Sequence, residues 1–207
     1  MTQRKSTGDG VLVGLAALGL GAMTAAIVYG HAGDTDAVRF AIRMTARTSL
    51  AFFLLAFTAG PLLRLAPGPF TAWLVRRRRA FGISFALSHA IHLTMIVLLY
   101  RLDAALFWTL TNPVTVASGA IAYGFIAVMT ATSLDVLHRA MGPKAWRAVH
   151  LLGGWYVWIT FAIAFGRRAV MNGHYWVPVA FLLVALAVRL LGMAPKAERP
   201  VSATPAP

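Results

Sequence analysis

Residues 80–100 read Ala-Phe-Gly-Ile-Ser-Phe-Ala-Leu-Ser-His-Ala-Ile-His-Leu-Thr-Met-Ile-Val-Leu-Leu-Tyr. The run contains no Asp, Glu, Lys or Arg, and arginines bracket it, Arg76 to Arg79 before and Arg101 after. About 20 such residues in an α-helix cross the ~30 Å hydrocarbon core of a bilayer. No water reaches backbone groups there, so the segment must pair its own N–H and C=O groups as a helix. Two histidines, His89 and His92, lie inside it.

The same reading repeats along the chain, at about 11–30, 47–66, 115–135, 146–166 and 175–193. Of the 207 residues, 59% are hydrophobic and 12% charged, against about 25% charged in soluble domains. The expected fold is therefore an all-α membrane protein, a six-transmembrane-helix bundle over residues 11–193. Residues 1–10 form an N-terminal tail. Residues 194–207, rich in Pro and Ala, form a disordered one. Pro61 is placed to kink the second span, and Pro113 to open the fourth. The first run follows Arg4 and Lys5 as a signal peptide would. It is longer than a typical apolar signal region, and Gly30-His31-Ala32 is a weak cleavage site, so it reads as a retained helix.

Thirteen of the 19 Lys and Arg residues fall on the side of the two termini. The positive-inside rule then puts both N and C termini in the cytoplasm. Basic helix ends also account for the net charge of +13 without nucleic acid. The loop from Pro67 to Arg79 is the most basic stretch. It reads first as a topology and lipid-contact signal, and second as a dock for an acidic partner or an anionic cofactor.

The absence of cysteine excludes disulfides, thiolate catalysis, cysteine-held clusters and covalently attached haem. No paired carboxylates lie in the spans, and Asp103 and Asp135 fall at opposite membrane faces. Gly19-Leu20-Gly21-Ala22 lies within an apolar span and reads as a close-packing patch rather than a phosphate loop. Tyr100, Trp108, Tyr175 and Trp176 fit an interfacial belt. Trp155, Tyr156 and Trp158 lie deeper, as core or as pocket lining. No duplicated transporter half is visible.

Of six histidines, His31, His138 and His174 fall in loops, where a histidine is usually just solvated. His89, His92 and His150 lie in spans, where an ionisable group is costly and faces the bundle interior or a cofactor. His89 and His92 share one helix face. Two imidazoles from neighbouring helices can ligate a haem iron. The alternative is that each bonds a helix backbone or a serine such as Ser88.

Several segments, taken in order, resemble the ferric reductase-like transmembrane domain family, and within it the MsrQ/YedZ group of haem-binding membrane subunits of periplasmic methionine sulfoxide reductase systems. Ala46-Arg-Thr-Ser-Leu-Ala-Phe-Phe-Leu-Leu-Ala-Phe-Thr-Ala-Gly-Pro-Leu-Leu-Arg64 is similar to the family's second helix. Arg78-Arg79-Ala-Phe-Gly82 with Ser88-His89-Ala-Ile-His92-Leu resembles the third, and Asn112-Pro-Val-Thr-Val-Ala-Ser-Gly119 the start of the fourth. Thr132-Ser133 and Gly142-Pro-Lys-Ala-Trp146-Arg-Ala-Val-His150 resemble the following loop and fifth helix. The resemblance spans roughly residues 37–193.

It implies a haem b-binding electron-transfer subunit of a bacterial inner (plasma) membrane, a redox accessory rather than a complete enzyme. Electrons would come from a cytoplasmic flavin reductase, through FMN, or from a quinone on that side. They would leave to a periplasmic reductase subunit. His92 and His150 match family haem-ligand positions, while His89 is a further candidate outside the usual pattern. A second fifth-helix histidine is expected 13 residues after the first, where this chain has Ile163. The resemblance thus implies one haem b, or two if another ligand completes the outer site. By helical rise, His92 lies about 18 Å along its span, His89 about 13–14 Å, and His150 about 10 Å if its helix starts near Pro143. One haem held by His150 with His92 or His89 is the expectation. A haem-less small transporter or membrane scaffold of the same fold is the alternative that Ile163 favours.

Overall fold

The structure is a computed structural model and describes residues 7–30, 34–133 and 135–193. The tail from residue 194, the first six residues and His31 lie outside the described residues. Among the described residues there is no strand. Six helices are long and apolar enough to cross a membrane. They are α1 (Thr7–Gly30), α2 (Thr35–Leu65), α4 (Arg78–Leu102), α6 (Pro113–Ala131), α8 (Pro143–Met171) and α9 (Trp176–Leu191), the last preceded by a 3-10 turn at Gly173–Tyr175. Short helices α3 (Pro69–Arg76), α5 (Ala104–Leu110) and α7 (Asp135–Met141) lie in the connections. Successive spans run antiparallel. One end of the bundle, here called proximal, gathers the start of α1, α4 and α8 and the finish of α2, α6 and α9. The distal end is opposite.

The outer surface is apolar: Leu18 is 72% exposed, Val114 79% and Val170 83%. Water would penalise such a surface heavily, whereas lipid does not. The interior carries the polar groups instead. Thr45, Ser49, Ser84 and Ser88 are 0% exposed between α2 and α4. Ser49 donates to Ser88 Oγ at 2.9 Å, and Ser88 donates to the Thr45 carbonyl at 3.3 Å. Small hydroxyl residues let two helices approach closely and bond across the seam, which is how helices associate without a hydrophobic drive in lipid. Ser88 thus serves the α2–α4 seam and bonds no histidine. An aromatic core of Phe53, Phe57, Phe85 and Phe161 fills the centre between α2, α4 and α8.

Two expectations are corrected. Helix α2 begins about three turns before residue 47. Asp34 caps it by accepting from Ala37 N at 2.6 Å. Val38 and Ala41 are buried against Met95 and Leu99 of α4, and Ala37 is buried beside them in sequence. The second correction concerns the glycine run in α1. Gly19 and Gly21 have open space where a Cβ would stand, so they pack against no neighbour and only Leu20 is buried. Tyr175 is buried against the protein, with the guanidinium carbons of Arg47 and Arg168 at 5.4 and 5.9 Å from its ring centre.

The α2–α9 seam is locked at its proximal end. Arg64 of α2 donates to the Gly192 carbonyl at 3.1 Å. A Cβ on Gly192 would fall 2.8 Å from Pro61 Cα and 2.7 Å from Pro61 Cβ, with no flexible side chain to give way. Gly192→Ala should therefore destabilise the bundle by about 1–3 kcal/mol, the usual cost of overpacking. Thermal unfolding of the purified protein in detergent checks this.

Candidate functional site

Helix α8 enters the bundle proximally. Gly142, at φ 76°, turns the chain out of α7, and Pro143 starts α8. Trp146 and His150 follow one turn apart on the same face. Their ring centres lie 4.3 Å apart with the planes tilted by 33°, and the His138 ring of α7 meets Trp146 edge-on at 5.0 Å. These three rings line a proximal cavity of about 1130 Å³. Its inner wall is apolar, with Phe57, Phe85, Ile126 and Met129. Its mouth carries Arg76, Arg78, Arg79 and Arg189, against the single carboxylate of Asp9. Asp9 is already committed to Arg77 at 2.6 Å.

Two donors on the cavity wall have nothing to donate to. Trp146 Nε1 and Arg189 Nε are buried and lack a hydrogen-bond partner. A buried unsatisfied donor costs about 1–3 kcal/mol, so pairs of them at one cavity point to an oxygen-rich ligand. His150 Nε2 lies 3.3 Å from Thr132 Oγ1. That hydroxyl spends its own hydrogen on the Val128 carbonyl at 2.7 Å, so Nε2 is the donor in this long contact, and a ligand at Nε2 would require the contact to break and the proton to sit on Nδ1.

His89 and His92 form a second, separate group. Their rings stack at 5.2 Å, and His89 also meets Tyr123 at 4.9 Å and Phe161 at 5.7 Å. Tyr123 donates to the His89 carbonyl at 3.1 Å. Thr45 donates its hydroxyl hydrogen to the Ala41 carbonyl at 2.7 Å. Its oxygen can then only accept from His92 Nδ1 at 3.0 Å, and the Ile42 carbonyl accepts at 3.1 Å. His92 is accordingly the Nδ1–H tautomer with its lone pair on Nε2, the arrangement that a backbone carbonyl accepting from Nδ1–H imposes on ligand histidines.

The structure does not bring His150 to this pair. Phe161 of α8 is level with His89, and His150 precedes Phe161 by 11 residues, about 16 Å of helix. Two nitrogens on one metal stand about 4 Å apart, given bonds of about 2 Å. The expected pairing of His150 with His92 or His89 on one iron therefore has no support in this geometry. Counting rise from each helix start misjudged the register. From its start, α8 travels about 27 Å to reach Phe161, whereas α4 travels about 16 Å to reach His89. Helix α8 thus begins about 10 Å further out. Ile163 belongs to the distal level too, and it is 57% exposed on the outer surface.

Trp155, Tyr156 and Trp158 do not line the proximal cavity. Trp158 donates to the Leu182 carbonyl at 3.2 Å and Tyr156 to the Ser118 carbonyl at 3.2 Å, tying α8 to α9 and α6. Trp146, His138 and Arg189 are site residues that were not candidates in the sequence: Trp146 carried no role there, His138 was a loop histidine and Arg189 a topology charge. Trp146 was visible as the aromatic four residues before His150. Arg189 was visible as a charge inside an apolar span.

Among the described residues, no group of three or more His, Cys, Asp or Glu could hold a bare metal ion. A porphyrin brings four equatorial nitrogens of its own and asks the protein for one or two axial ligands. The proximal cavity meets that smaller demand. Its volume of about 1130 Å³ lies just above the ~300–1,000 Å³ range of cofactor clefts. It also offers an imidazole, an apolar wall, and cations and orphaned donors for carboxylates. The chain matches no protein family, and neither a curated protein nor a solved structure is significantly similar to it.

Proposed function

We propose that the chain is a haem b-binding transmembrane electron carrier of the ferric reductase-like kind, in the manner of MsrQ/YedZ membrane subunits, with one haem in the proximal cavity. The observation that carries this reading is the joint presence there of His150, two orphaned buried donors and a cationic mouth. His150 would hold the haem iron through its imidazole. Trp146, packed against that ring, fixes its orientation. Trp146 Nε1 and the Arg189 guanidinium would receive the carboxylates, and the apolar wall excludes water. Haem so held supplies a one-electron iron couple whose potential follows from ligand, burial and nearby charge.

The positive-inside rule supports a cytoplasmic proximal end and a location in a bacterial inner membrane. Arg76 and its neighbours then face the cytoplasm, where they suit an acidic flavin reductase, with its FMN, as donor. A quinone on that side is the alternative donor. The distal end would face a periplasmic reductase subunit. His92, with its lone pair on Nε2, stands at the distal level, where Ile163 replaces the family's expected histidine. The departure at Ile163 leaves the proximal cavity intact.

A dithionite-reduced minus oxidised spectrum, with a pyridine haemochrome count, tests the proposal on protein purified from cells supplied with haem precursor. A b-type spectrum with about one haem per chain is expected. Absence of haem would overturn the reading and favour the haem-less transporter or scaffold.

A further inference from the structure

Along the lipid-facing side of the α2–α9 seam runs a second cavity, of about 1160 Å³, which the electron-carrier reading does not use. Its floor is apolar, from Leu50 and Leu54 on α2 to Phe181 and Val184 on α9. Phe181 and Val184 are each 60% exposed, so the groove opens to the surrounding membrane. From Arg43 to Leu62 it follows α2 for 19 residues, about 28 Å.

The distal mouth is cationic. Arg43 and Arg47 line it, one helical turn apart on one face of α2, with His174 across the gap. Arg168 also reaches Tyr175, its guanidinium carbon 5.9 Å from the ring centre. Aromatic rings hold these guanidiniums in place. Arg43 lies 5.6 Å from the Phe40 ring centre, and Arg47 lies 5.4 Å from that of Tyr175. Arg39 pairs with Asp36 and Arg77 with Asp9, whereas Arg43, Arg47 and Arg168 form no ion pair with a described carboxylate. The nearby acids are engaged elsewhere: Asp34 caps α2 and Asp103 caps α5.

A preordered pair of unneutralised guanidiniums at headgroup depth, above a long apolar groove, is complementary to an amphiphile with an anionic head. We infer that this groove is a binding site for an acidic phospholipid of the distal leaflet, its phosphate on Arg43 and Arg47 and an acyl chain between α2 and α9. The lipid fills the part of the seam that protein side chains leave open, while Arg64, Gly192 and Pro61 close the proximal part.

The test compares dioleoyl phosphatidylglycerol with dioleoyl phosphatidylcholine, which share chains and differ in net charge. Binding is read by native mass spectrometry and by the thermal shift of delipidated protein in neutral detergent. Each basic residue near an anionic surface contributes about fivefold. Phosphatidylglycerol should therefore bind about thirtyfold more tightly than phosphatidylcholine, and Arg43→Gln/Arg47→Gln should abolish the difference. Arg101→Gln removes a charge from the same end outside the groove and should change nothing. Val184→Trp fills the groove without touching charge and should weaken both lipids. Equal binding of the two lipids by the natural sequence would overturn the assignment. So would an equal loss in Arg101→Gln, which would mean unspecific surface charge. Displacement of phosphatidylglycerol by a neutral quinone that binds the double variant undiminished would overturn it in favour of a quinone groove.

Discussion

His150→Ala is expected to take the haem content of the purified protein from about one per chain to near zero, while His92→Ala and His89→Ala keep it. The expectation follows from level, not from residue type. All three are histidines in apolar spans, and all three were candidates for one shared iron. Only His150 stands on the wall of the proximal cavity with Trp146 and Arg189. His89 is tied to Phe161, about 16 Å further along α8. No helix tilt compresses that separation to the about 4 Å that two axial nitrogens require. The count is made by pyridine haemochrome on detergent-purified variants whose helicity matches the natural sequence. A fall from two haems to one in His92→Ala would add a distal haem and leave the proximal assignment standing. Complete loss in both His150→Ala and His92→Ala would overturn it, because one site would then depend on both levels.

The sequence made the six spans legible for a physical reason. Lipid leaves the backbone no alternative to a helix, so apolar length alone announces each one. It was misleading where polarity and helix coincide. Thr35 to Ala46 carries Arg39 and Arg43, followed by Arg47, and reads as a loop. The four-residue spacing of those arginines places them on one face, and Ala37, Val38 and Ala41 on the buried one. That stripe was the available signal. The site was legible in its imidazoles and not in their grouping. Composition marks which histidines are buried. The relative height of α4 and α8 depends on how far α8 projects beyond α4 proximally, and no local pattern encodes that. Arg189 was counted as a topology charge because most terminal arginines are. Its role depends on Pro61, 128 positions earlier in the chain and adjacent only in the fold.

Arg189 and Pro61 should show strong energetic coupling. Proline has no N–H, so Pro61 deprives the Phe57 carbonyl of its helical donor four residues on. In a water-free bundle that carbonyl needs another donor. Arg189 of α9 supplies it, with Nη1 2.8 Å from Phe57 O and its guanidinium carbon 4.2 Å from the Phe57 ring centre. Arg189→Met keeps the length of the side chain and leaves the carbonyl bare. The expected loss is about 1–2 kcal/mol. Interhelical bonds in membranes average only ~0.6 kcal/mol, but this one is charge-assisted and its removal orphans a backbone group. Relief of the charge's own desolvation keeps the loss from being larger. In a Pro61→Ala background the residue at 61 regains an N–H, which can close the helical bond to Phe57 O. Arg189→Met should then cost at most a few tenths of a kcal/mol, giving a coupling of about 1 kcal/mol or more in the double-mutant cycle. Reversible unfolding of the four proteins in mixed micelles measures it. Equal losses in the two backgrounds would place the worth of Arg189 in its stacking on Phe57 and Trp155, at 4.2 and 5.6 Å, rather than in capping the broken helix.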